Sequence, residues 1–197
     1  SMVDRITPES NYITKNIIKK KFGYTDNCHV ESENHIEWIV SKNKRINLPP
    51  LQKVGVKYVS NISDYQEMKM KILNASHCST SFLASLNKKK FVYETFNDKK
   101  FLYFINSYIK KDVIPLLKKN FYNYNFFLKQ VVKRFRNKAL PDLVERTTIN
   151  GSKNLEIFIK PTLNDNSKQK RNLKRYALIF ASWYLFVKKG DRFQDQN

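Results

Sequence analysis

From Asp64 onward, the sequence repeats apolar side chains at helical spacing with few breaks, and a chain so patterned must bury a set of amphipathic helices against one another. Tyr65 to Leu86 carries Met68, Ile72, Leu73, Ala75 and Phe82 on its apolar faces. The next helix, with Asp98 as its cap, runs through Leu102, Ile105, Ile109 and Val113 and stops before Pro115. Tyr122 to Phe135 predicts another, and Leu140 to Ile149 a short one closed by Asn150-Gly151. The last opens at Asp165-Asn166-Ser167 and ends at Lys188-Lys189-Gly190, cations followed by a glycine at the negative helix pole.

Ahead of this region the signals are mixed. Thr7-Pro8-Glu9 predicts a helix start, Ile13, Ile17, Ile18 and Phe22 recur at helical spacing, and Gly23 stops the element. Cys28–Val30 and Trp38–Val40 read as short extended pieces, Leu48-Pro49-Pro50 as a break, and Val54–Val59 as a strand. The expected fold class is mainly α, with a few short strands near the N-terminus.

Charge and composition narrow the function. The net charge is +20, from 37 basic against 17 acidic residues, a balance that suits anionic partners. The lysines nevertheless scatter over Lys19–Lys21, Lys88–Lys90 and Lys168–Arg175 instead of forming one stripe, so most read as solvated surface. One reading is therefore a basic helical module that captures nucleic acid or another polyanion, though nucleic acid is not the expected partner. No apolar run reaches membrane-spanning length, so no membrane partner is expected. Cys28 and Cys78 make no disulfide framework, which points to a reducing, cytoplasmic setting. Cys28-His29 and His77-Cys78 lack the spacing of a zinc site, and no metal is expected. With 4 glycines, none clustered, there is no G-x-G-x-x-G loop to cradle a pyrophosphate.

The stretch with most chemistry is Lys69-x4-Asn74-x2-His77. At about 100° per residue, His77 falls between Lys69 and Asn74 within an arc of roughly 140°, so an amine, a carboxamide and an imidazole can reach one small ligand. Each type suits alcohol–ketone chemistry. A lysine in a dry pocket favours its neutral form and can take a hydroxyl proton. An asparagine amide can donate to a developing alkoxide, and a neutral histidine can hold a hydroxyl in a fixed direction. The plain alternatives are a solvated lysine and a local Asn–His contact.

This motif, in the setting Tyr65-Gln66-Glu67-Met68-Lys69 and Leu73-Asn74-Ala75-Ser76-His77, resembles the active-site helix of the long-chain mannitol dehydrogenase family, which includes mannitol 2-dehydrogenases and fructuronate reductases. The resemblance extends over nearly the whole chain, through Ser1 to Pro8, Pro49 to Val56, Arg134-Phe135-Arg136-Asn137, Asp142, Arg146 and Gly151-Ser152. It implies a multi-helix C-terminal domain similar to that of 6-phosphogluconate dehydrogenase-like enzymes over residues 9–197, with residues 1–8 as a junction to an N-terminal Rossmann domain. It also implies Lys69 as general base, Asn74 in the oxyanion site and His77 orienting a polyol or sugar-acid substrate. Asp4 would tune charge, Arg5 lies in the same segment, and Arg146 would contact substrate hydroxyls or a carboxylate. NAD or NADP would be bound mainly by the Rossmann domain, in cis or in trans, so this chain alone is expected to be inactive. A catalytically dead relic that only contacts other proteins is the remaining reading. The sequence departs from the family at Asn150 (often Asp), Asn154 (often Lys) and Lys138 (usually Pro), which leaves the substrate-facing rim and the substrate open.

Overall fold

The structure, a computed structural model, describes residues 1–8, 10, 12–42 and 49–190. Glu9 and Leu48, which enter the expected helix start and chain break, lie outside them. The chain divides into two compact units, Ser1–Ile62 with Lys138–Asp142, and Ser63–Asn137 with the chain from Leu143 onward.

The first unit holds a three-stranded sheet in the order β1 (Met2–Asp4), β2 (Glu37–Ser41), β3 (Lys57–Val59). β1 runs antiparallel to β2, with Met2 opposite Ile39 and Asp4 opposite Glu37; β2 runs parallel to β3, with Ile39 opposite Lys57. Ile39 is fully buried, and Lys57 ties to Glu37 at 2.5 Å. Thr7 and Pro8 do not start a helix. The segment before them is held extended, because the Ile6 amide donates to Glu33 Oε1 (2.5 Å) and the Glu33 amide returns a bond to the Ile6 carbonyl (3.2 Å). Helix α1 begins at Tyr12 and ends at Phe22, where Gly23 takes the left-handed conformation (φ 79°) that closes it. Its apolar positions do not meet a core: Ile13 is 71% exposed and Ile17 57%. Cys28–Val30 forms no strand, and the expected strand over Val54–Val59 is β3 alone, preceded by a 3₁₀ turn at Leu51–Val54. β1 has no sequence signal beyond three alternating residues.

The second unit is helical. A continuous run, α2 (Ser63–Met68), a π turn (Lys69–Asn74) and α3 (Ala75–Leu86), passes through its centre. Helices α5 (Lys99–Tyr108), α7 (Val144–Thr148), α8 (Gly151–Phe158) and α10 (Lys174–Lys189) pack on α3, and α6 (Tyr124–Phe135) packs on α4 (Val92–Asn97). Ring contacts such as Phe82–Phe186 (5.5 Å) and Phe96–Phe135 (4.6 Å) join these layers. Asp98 and Asn123 cap α5 and α6 through Lys100 and Phe126 amides. The Lys89 ammonium beside it and the Lys100 amide hold the Asp98 carboxyl below its ordinary range.

Three expectations change here. α4 and α8 were not anticipated as separate helices, and Gly151 opens α8 instead of closing its predecessor. Gly151 sits against α3 so closely that a Cβ would lie 2.8 Å from Phe82 Cζ. Asp165-Asn166-Ser167 lies inside α9 (Lys160–Lys168), and α10 starts instead after Asn172, whose Oδ1 accepts from the Lys174 amide (2.9 Å). Tertiary bonding overrides the capping preference: the fully buried Asn166 sends its amide to the carbonyls of Asp112 and Thr162, both at 2.8 Å.

A second π turn, Ile109–Val113, runs into a 3₁₀ turn at Ile114–Leu116. Pro115 has no N–H for the preceding carbonyls, and buried carbonyls need partners. Arg171 Nη2 takes the Lys111 carbonyl at 2.6 Å, and Asn166 takes that of Asp112. Beside them the buried Asp112 carboxylate pairs bidentately with Arg175, through Nε and through Nη2 at 2.8 Å. This pairing raises the Arg175 guanidinium above its ordinary range.

Candidate active site

Lys69, Asn74 and His77 lie on the central helical run of the second unit, and each is half-buried. Their mutual placement differs from the α-helical expectation. Lys69 to Asn74 is a π turn, in which the Ala75 amide bonds back to the carbonyls of Met70, five residues earlier, and of Ile72. A π turn advances about 80° per residue instead of about 100°. Lys69 and Asn74 then differ by about 40°, and His77, three α-helical steps further, returns to within about 20° of Lys69. The arc narrows from about 140° to about 60°, so the three functional groups share one face.

Their neighbours separate roles. Lys71, two positions away, is tied to Glu67 at 2.6 Å in an i,i+4 pair. Asn74 Nδ2 donates to the Met70 sulfur at 3.4 Å, a weak acceptor that an alkoxide oxygen would displace. The His77 ring rests against Phe135, centroids 4.9 Å apart. On one side it borders a void of about 10 Å³ among Thr95, Phe96 and Val144, room for no more than one water-sized group. Cys78, next to His77, is buried, and burial pushes its thiol up to about 12, so it is a neutral packing residue. Among the described residues no group of three His, Cys, Asp or Glu side chains is placed to hold a metal ion.

Of the other expected site residues, Arg146 is half-buried on α7, which packs against α3. Asp4 and Arg5 lie in the first unit. Asp4 is buried at the end of β1, and the exposed Arg5 donates from Nε to the Glu33 carbonyl at 3.1 Å. Gly151-Ser152 has a packing reason, the approach of α8 to Phe82, and Asn150 stands at φ 55°, a left-handed position that Asn tolerates as Asp does. No periodicity in the sequence marks either π turn, since each adds a single residue to an otherwise helical pattern.

Lys69, Asn74 and His77 thus lie along one helical run at the centre of a helical unit. The family described as Mannitol dehydrogenase C-terminal domain matches residues 61–196, and the chain belongs to it. The D-arabinitol 4-dehydrogenase of Klebsiella pneumoniae is 30% identical over 189 residues, which cover 96% of this chain and 42% of that protein. Mannitol dehydrogenase 2 of Saccharomyces cerevisiae is 29% identical over 95% of this chain and 38% of its own length. The Pseudomonas fluorescens mannitol 2-dehydrogenase, solved as a ternary complex with NAD and D-mannitol, superposes with a TM-score of 0.87 at 32% identity over 95% of this chain and 38% of that one. A substrate-free D-sorbitol dehydrogenase superposes with a TM-score of 0.84 at 29% identity, over 94% of this chain and 39% of that one. The chain thus spans about two fifths of the length of these relatives. No helix among the described residues is long and apolar enough to cross a membrane.

Proposed function

We propose that this chain forms the substrate half of an NAD(P)-dependent dehydrogenase that interconverts a secondary alcohol of a polyol or sugar acid with its ketone. The observation that carries this reading is the π turn at Lys69–Asn74, which narrows the arc that Lys69, Asn74 and His77 span about the helix axis.

Lys69 takes the proton of the reacting hydroxyl as general base. Asn74 turns its amide from the Met70 sulfur to the oxygen as negative charge gathers there. His77, steadied by Phe135, holds the hydroxyl in line, and Arg146 contacts hydroxyls or a carboxylate further along the substrate. Asp4 sets local charge from the N-terminal segment. NAD or NADP, when bound, would supply the hydride acceptor. In this reading a dinucleotide-binding region, in the same polypeptide or in another, holds the cofactor, and the chain by itself is inactive. Two free cysteines suit a reducing, cytoplasmic setting.

The test is NAD(P)-linked oxidation of D-mannitol, D-arabinitol and D-sorbitol by the complete polypeptide. Lys69→Ala is expected to lower kcat by about 10²–10⁴, with circular dichroism unchanged. Lys71→Ala, whose amine is held by Glu67, is expected to stay within a few-fold of the parent. Equal effects of the two substitutions, or near-normal turnover of Lys69→Ala, would reject the assignment.

A further inference from the structure

We propose that a basic cleft at the far end of the same helical run binds a phosphate-bearing small molecule of nucleotide size. The cleft has a volume of about 650 Å³, within the range of metabolite sites. Lys88, Lys89, Lys90 and Lys189 line it, with Glu145 as the carboxylate in its wall. Lys89 is paired with Asp98 at 3.0 Å, and the positive charge around the cleft still exceeds the negative. Lys69 lies nineteen positions before Lys88, more than about 20 Å along a helix axis, so a small polyol held by Lys69 does not reach this cleft.

The backbone at Lys88 fixes where the basic segment leaves α3. α3 ends in a Schellman turn: the Lys88 amide bonds the Ser85 carbonyl (2.9 Å) and the Lys89 amide bonds that of Ala84 (3.0 Å). The residue at the left-handed position of such a turn is usually glycine. Here it is Lys88, at φ 57°. Lys170 takes the same position after α9, at φ 52°, so Lys88 is set apart by its place in the cleft lining and not by its backbone. Cations at helix C-termini favour the negative pole, which accounts for a lysine near the ends of α3 and α10. It does not account for Lys90, which lies beyond the helix.

The frame is fixed. Glu94 Oε2 accepts the amides of Lys90 (2.7 Å) and Phe91 (3.0 Å). The Val144 amide donates to the Lys90 carbonyl at 3.0 Å, next to the Phe91–Leu143 bridge. Cations presented on a held segment bind an anion with little ordering cost. An inorganic phosphate fills a small part of the cleft, and the remainder is walled by Leu143, Val144 and Phe186, a surface for an organic moiety.

Isothermal titration calorimetry of the protein with inorganic pyrophosphate and with ADP tests this. One saturable site per chain is expected, with ADP tighter than pyrophosphate and both weaker at raised ionic strength. Lys88→Gly is expected to weaken ADP by about tenfold or more while raising Tm, since glycine relieves the turn, and Lys90→Gln is expected to weaken it too. The double variant Lys129→Gln/Lys133→Gln, on α6, is expected to bind as the parent does. The proposal is overturned by absence of saturable heat, by affinity unchanged in Lys88→Gly and Lys90→Gln, or by an equal loss in the α6 variant, which is diffuse attraction to a highly charged chain. ADP no tighter than pyrophosphate would overturn the organic moiety.

Discussion

Single residues in this protein are distinguished by what holds them. Lys69 and Lys71 are two positions apart, with Lys71 paired to Glu67, and the residue pattern alone does not tell which lysine is which beyond the family motif. The cysteines differ as sharply. Cys28 is exposed and Cys78 buried, and desolvation raises the Cys78 thiol to about 12. Because the raised value keeps Cys78 protonated throughout the neutral range, and thiolate is the reactive form, iodoacetamide at neutral pH should add once to the folded protein, at Cys28. A second adduct should appear only in denaturant. Mass spectrometry of tryptic peptides checks this; rapid native labelling of Cys78 would show that α3 opens.

At the scale of elements, helix identity was readable from apolar spacing, and helix ends less so. The runs through Met68–Phe82, Leu102–Val113 and Phe126–Val132 stand where periodicity puts them, because each has a broad apolar face to bury. Ends fail where a polar residue has a tertiary task. Asn166 looks like a helix-opening cap but sits in the last turn of α9, satisfying the Asp112 carbonyl near Pro115. Gly151 looks like a stop but opens α8, because its lack of a side chain admits Phe82. Of the site, the residue types, their order and their convergence within one arc were legible, whereas the narrowing of that arc was not, since the π turn has no sequence signature. The Gly151 contact is the sharpest test of an element pair. Gly151→Ala puts a methyl 2.8 Å from the buried Phe82 ring and should cost about 1–3 kcal/mol, read as a lower urea midpoint with unchanged m. Phe82→Leu in the same background should recover part of the loss.

Over the whole molecule, two facts pull against each other. The chain carries a net charge of +20, and the first unit leaves Tyr12, Ile13, Ile17, Phe22 and Tyr24 exposed. Like charge keeps copies apart, whereas an apolar surface draws them together. Salt near 1 M shortens the Debye length to about 3 Å, so the hydrodynamic radius measured by dynamic light scattering should rise with ionic strength. Ile13→Lys/Ile17→Lys should suppress the rise; a radius that is flat with salt would show that this face is not adhesive.

Residues 138–142 group with the first unit although the chain on either side belongs to the second. The polypeptide therefore crosses between them like a stitch, and no single cut parts the two pieces cleanly. Trimming at the family boundary near residue 61 would keep the stitch and discard the cloth it was sewn to.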